Sequence, residues 1–150
     1  MRLRMLQTSP TSNLMITTGR VLLALYFLLP GILKFTAAPM NISLMSAHGI
    51  PNPAVLLVVA GVAQVAGALL LMTGRYVRFS ALGLVAYILV INVLMHDFWN
   101  FSGVAGAHEL QNFIKNLGIL AGLLVLAGFS RWRMPSVTGL MMSDARAFAV

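Results

Sequence analysis

Between Lys34 and Arg75 the chain carries no acidic or basic side chain apart from one histidine, and the same holds between Arg78 and Asp97. A helix of about 20 apolar residues covers a hydrocarbon core about 30 Å thick. A backbone in lipid must satisfy its own polar groups, which leaves helices or closed barrels. Apolar and polar residues do not alternate with the period of a strand, so the pattern predicts helices. Soluble domains are about 45–50% apolar and about 25% charged, whereas this chain is 59% hydrophobic and 9% charged. Its segments are apolar nearly all round, without the polar face a soluble bundle needs.

The expected fold is an all-α integral membrane four-helix bundle, a single domain over residues 1–150 with spans at about 14–35, 54–73, 76–95 and 110–130. The apolar core of the first span, residues 21–33, is short enough for a cleaved signal, with small Thr36, Ala37 and Ala38 behind it. We read it as a retained anchor. The Thr73-Gly74-Arg75-Tyr76 link predicts an antiparallel hairpin, with Gly74 ending its first helix. In the connection before it, residues 40–47 predict a short interfacial helix closed by Gly49-Ile50-Pro51 and Pro53. Residues 100–107, rich in Gly, Ala and Ser, read as a loop, and Pro30 predicts a kink in the first span. Gly118-x-x-x-Gly122 and Ala63-x-x-x-Gly67 are small-residue faces suited to packing within the bundle.

Every arginine flanks a span on one side. Arg2, Arg4 and Arg20 precede or open the first, Arg75 and Arg78 sit in the hairpin turn, and Arg131, Arg133 and Arg146 follow the last. The other two connections hold no Lys or Arg, so the positive-inside rule puts both termini in the cytoplasm. The net charge of +7 is thereby accounted for as a topology signal, and no separate basic domain exists to track nucleic acid. With no cysteine, the chain lacks disulfides, thiol redox chemistry and thiolate metal sites.

Ionisable groups within a membrane are costly and mark sites. Here they gather toward the outer leaflet. The last span opens with His108, Glu109, Gln111, Asn112, Lys115 and Asn116, where helical spacing makes a polar stripe. Asn92, His96 and Trp99 share a face at the end of the third span, Lys34 ends the first, and Gln64 lies mid-way in the second. Lys34, Gln64, Asn92, His96, Glu109, Asn112, Lys115 and Asn116 are therefore the candidate ligand-binding residues, converging on one outward pocket. Lys34 and Phe27, two turns apart, would serve it from the first span. The lysines need counter-ions, and only Glu109 and Asp97 are near in sequence. Snorkelling to the headgroups is the alternative for either lysine. His48, His96, His108, Asp97 and Glu109 lack the spacing that puts two metal ligands on one helical face, so no metal is expected. All three histidines sit at loop or helix ends, which disfavours haem.

In order and spacing, several segments resemble the DoxX family of small bacterial membrane proteins. They are Gly19-Arg20, Gly31-Ile32-Leu33-Lys34-Phe35, His48-Gly49-Ile50-Pro51, Ala60 to Ala68 with Thr73-Gly74-Arg75, His96-Asp97-Phe98-Trp99 and Phe113-Ile114-Lys115-Asn116-Leu117, and together they span about residues 15–128. The resemblance implies a four-helix fold in the bacterial inner membrane. It also implies a link to thiosulfate:quinone oxidoreduction or to membrane-associated oxidative-stress complexes. Where the family often has a glutamate in the second span, this chain has Gln64, which removes a carboxylate while keeping a hydrogen-bonding group.

The leading expectation is an accessory, quinone- or small-amphipath-binding component of a respiratory or redox system. It would be a subunit of a membrane oxidoreductase, with no covalently bound cofactor and no redox centre of its own. Lys34, Gln64, Asn92, Lys115 and Asn116 would donate to the ligand, with His96 and Glu109 as proton relays. Two rivals stand beside it: an assembly subunit docking onto a membrane-protein partner or a second copy, and a small-molecule transporter. The topology is testable in whole cells because the parent lacks cysteine. Cysteine at Ser102 should react with an impermeant thiol reagent and cysteine at Ser143 should not; the reverse pattern would contradict the assigned orientation.

Overall fold

The computed structural model describes residues 10–134 and 136–144; Arg2, Arg4 and Arg146 lie outside the described residues. It consists of α1 (Pro10–Thr36), α2 (Ala38–Ala47), α3 (Pro53–Thr73), α4 (Val77–Met95) and α5 (Gly103–Phe129), with single 3-10 turns at Phe98–Asn100 and Thr138–Met141. No strand occurs among the described residues. α1, α3, α4 and α5 are each long and apolar enough to cross a membrane. Their outward surfaces are hydrocarbon: Leu22, Val59, Val90 and Val125 are all more than half exposed. So much exposed apolar area marks a lipid-facing surface.

α2 fills the connection expected to hold a short helix, with Pro39 in its first turn. α5 begins at Gly103, ahead of the expected residue 110, so much of the anticipated loop is helical. The physical reason lies in Val104-Ala105-Gly106-Ala107. Its two alanines favour helix, extended Ser102 precedes it, and the amphipathic first turns can stand above the hydrocarbon. α1 continues through Pro30 to Thr36.

The helices are ordered α1, α3, α4, α5 around the bundle, and α1 touches α5 only sparsely. α1 and α3 approach closely because Gly61 receives the Phe35 ring; a Cβ there would lie 2.7 Å from it. Gly118 meets nothing within 4 Å, and Gly122 only looks across at Leu23. The small-residue face of α5 thus borders an open seam rather than a packed interface. Ala24, Phe27, Ala68, Leu71, Ala81, Leu84, Leu123 and Ala127 form an apolar core in the half of the bundle nearest the arginines.

At that arginine end Gly74 takes a left-handed φ of 68°. Arg75 N donates to Leu70 O at 2.9 Å and Gly74 N to Leu71 O at 3.1 Å, the paired bonds of a Schellman cap. Arg20 does more than mark topology. Buried inside α1, its Nη1 donates to the carbonyls of Leu71 and Met72, placing a cation on the negative end of α3. Asp144 matches it at the start of α4, accepting from Val77 N at 3.0 Å while pairing with Arg133 at 2.5 Å. The tail after α5 is further fixed by Tyr76, whose hydroxyl donates to Ser136 O at 2.7 Å.

At the opposite, histidine end, His48 Nδ1 bonds Asp97 Oδ1 at 2.8 Å and Asn100 Nδ2 donates to Asp97 Oδ2 at 2.7 Å. This ties the α2–α3 connection to the α4–α5 connection.

Gly74→Ala combines a left-handed backbone with a Cβ 2.9 Å from Arg20 Nη1. It should cost at least about 1–2 kcal/mol in detergent unfolding titrations. Gly83→Ala, at an open helical position, should be neutral or slightly stabilising. Equal stability of the two variants would contradict this account of the turn.

Candidate functional site

Polar side chains within the spans form a belt across the bundle on the histidine side of the apolar core. Tyr26 of α1 donates to Asn116 Oδ1 of α5 at 3.1 Å. Asn116 Nδ2 donates to Asn92 Oδ1 of α4 at 2.8 Å, and Asn92 Nδ2 to Phe113 O at 3.3 Å. Tyr87 of α4 donates to Gln64 Oε1 of α3 at 2.8 Å. Edge-on ring contacts of Phe27 with Tyr26 and Tyr87 join the two halves. All four spans contribute, and Gln64, Asn92 and Asn116 are buried. Interhelical hydrogen bonds in membranes average about 0.6 kcal/mol, so the belt fixes helix register more than it adds stability.

Next toward the histidine end, His96 Nδ1 bonds Glu109 Oε2 at 2.7 Å, while His108 lies 3.5 Å from the other carboxylate oxygen. Because a carboxylate only accepts, Nδ1 is the donor of this pair. Asn112 and His108 are one turn apart, at 3.4 Å.

Between α1 and α5 these layers border an open cavity of about 430 Å³ lined by Tyr26, His96, Asn112, Lys115, Asn116 and Ile119. A second, largely apolar slot of about 510 Å³ follows the same seam toward the arginine end, between Gly19, Leu22 and Leu23 of α1 and Gly122, Val125 and Phe129 of α5, with Arg20, engaged by the α3 carbonyls, also in its wall. Tyr26 and Ile119 belong to both. A polar chamber therefore opens onto a greasy channel where the bundle is least closed.

Of the residues singled out in the sequence, His96, Asn112, Lys115 and Asn116 line the chamber. Glu109 holds His96, and Asn92 holds Asn116. Gln64 and Lys34 stand apart at Tyr87: the Lys34 ammonium lies 5.9 Å from the centre of that ring, and neither residue lines the chamber. Phe27 is buried in the core and is not a wall of the site; its neighbour Tyr26 takes that place. Tyr26 and Tyr87 went unnoticed in the sequence. The available signal was a phenol deep inside an apolar span, where its hydroxyl requires a partner.

A family model described as DoxX matches residues 15–97, more than half of the chain. Inner membrane protein YphA of Escherichia coli (strain K12) is 29% identical over 109 residues, covering 73% of this chain and 78% of that relative. No solved structure matches.

Proposed function

Because this chain belongs to the DoxX family, whose curated relative is an inner membrane protein, we propose that it is a multi-pass bacterial inner-membrane protein that binds a small amphipathic, quinone-like molecule for a respiratory or redox system. The carrying observation is the chamber of Tyr26, His96, Asn112, Lys115 and Asn116 leading into the apolar slot of the α1–α5 seam. Ligand sites combine an apolar lining with a few convergent polar groups. A ring carbonyl would accept from Lys115 or Asn112, and a tail would lie in the slot beside lipid.

The protein acts as an accessory that positions its ligand. His96, held by Glu109, is the group suited to exchange a proton with a ligand oxygen. Electrons pass through a partner, since no residue of the chamber is itself a redox centre. The apolar core between the chamber and the arginine end supports binding over transport. Transport would need a polar path there, and Leu71, Leu84 and Leu123 occupy it.

A second reading, docking onto a membrane partner, is favoured by the unpacked backbone at Gly118. The two readings separate on purification in mild detergent. Wild type should carry a quinone-type molecule, identified by mass spectrometry of its extract, and Lys115→Leu should lose at least ten-fold of it while keeping its helical circular dichroism and thermal midpoint. Equal ligand content in both proteins would reject the chamber.

A further inference from the structure

We infer that the occupant of the α1–α5 seam is an amphiphile with an oxyanion head, seated on Lys115. This rests on reading the seam as the ligand site and narrows what fills it; a quinone-type molecule would fit best in its phenolate-bearing, reduced form.

The chain has three acidic residues, and each is already engaged by another group. Asp97 meets His48 at 2.8 Å, Glu109 meets His96 at 2.7 Å, and Asp144 meets Arg133 at 2.5 Å. Lys34 has the face of Tyr87. Among the described residues, no carboxylate lies within ion-pair distance of Lys115. Lys115 is 14 positions before Phe129, hence about 21 Å along the helix axis from the arginine end. With Phe129 set at one face of a core about 30 Å thick, Lys115 stands about 9 Å below the other face, its side chain exposed at the chamber.

The rest of the chamber does not supply the missing negative charge. Asn116 spends its oxygen on Tyr26 and its nitrogen on Asn92. Glu109 turns both oxygens to histidines. The Asn112 amide is already set against His108 and Glu109, so the donor left for a ligand is the Lys115 ammonium, with a ring nitrogen of His96 beside it. Charge complementarity thus calls for an anion, and oxygen anions form the short, charge-assisted bonds such donors favour.

The slot continues the chamber with an apolar wall. From Ile119 to Phe129 it runs about 15 Å along α5 and is open along one side, so a hydrocarbon tail leaving a head at Lys115 can lie along it.

The test is binding of dodecanoate, dodecyl phosphate and dodecanol to the full chain in a neutral maltoside detergent, read by native mass spectrometry. At least one anion should bind ten-fold or more tighter than dodecanol. Lys115→Gln should erase that preference and Lys115→Arg should keep it. Whichever anion binds more tightly identifies the head as carboxylate-like or phosphate-like. Dodecanol binding as tightly as both anions, or a preference that survives Lys115→Gln, would overturn the oxyanion head. In that case the seam as a site still stands if Gly122→Leu, or the more open Gly19→Leu, displaces all three probes. If neither variant alters any binding, the seam itself is rejected.

Discussion

Lipid offers no hydrogen bonds to a polar side chain, so an amide or phenol placed deep in a span is stabilised by a partner on another helix. The belt from Tyr26 through Asn116 to Asn92, with Tyr87 and Gln64 beside it, answers that constraint. Its consequence is a division of the bundle. On the arginine side, aliphatic side chains and the Phe27 ring pack to a dry core; on the histidine side, paired polar groups hold the helices at set positions. Close packing of small and aliphatic residues brings α1 against α3, as Gly61 under Phe35 illustrates. No such fit exists between α1 and α5, where the Tyr26–Asn116 bond crosses a gap.

That gap is where the chemistry can happen. The ends of the bundle are tied down: Arg20 and Asp144 serve the termini of α3 and α4, and His48 and Asp97 clasp the opposite connections. Helices anchored at both ends can leave a seam between them without losing their arrangement. A polar chamber and an apolar slot that share Tyr26 and Ile119 would hold the head and tail of one molecule in register. Beyond them lies the apolar core of Leu71, Leu84 and Leu123.

The spans were legible in the sequence because hydrocarbon thickness sets their length, and α2 because prolines bracket an otherwise helical stretch. The chamber residues of α5 were legible because Asn112, Lys115 and Asn116 interrupt an apolar helix at helical spacing. Arg20 was legible as a topology charge and not as a helix cap. The sequence says nothing of the α3 carbonyls it meets. The seam was hidden for a related reason. Glycine spacing in α5 advertises a surface capable of close approach, but which helix comes near depends on all four spans together. Tyr26 and Tyr87 were passed over because hydropathy treats tyrosine as indifferent, and only a depth inside the bundle makes its hydroxyl demanding. Lys34 and Gln64 joined the expected pocket by height in the membrane, whereas their rotation about the helix axes directs them to Tyr87.

The central claim is that the polar belt leaves the α1–α5 seam open to lipid as a binding site with its head group at Lys115. A cryo-EM structure of the protein in lipid nanodiscs tests it most directly. The account predicts one elongated density along the seam, its head beside Lys115 and Asn112 and its tail over Gly122. It would be contradicted by α1 and α5 packed together along their length, with Lys115 turned out among the lipid headgroups.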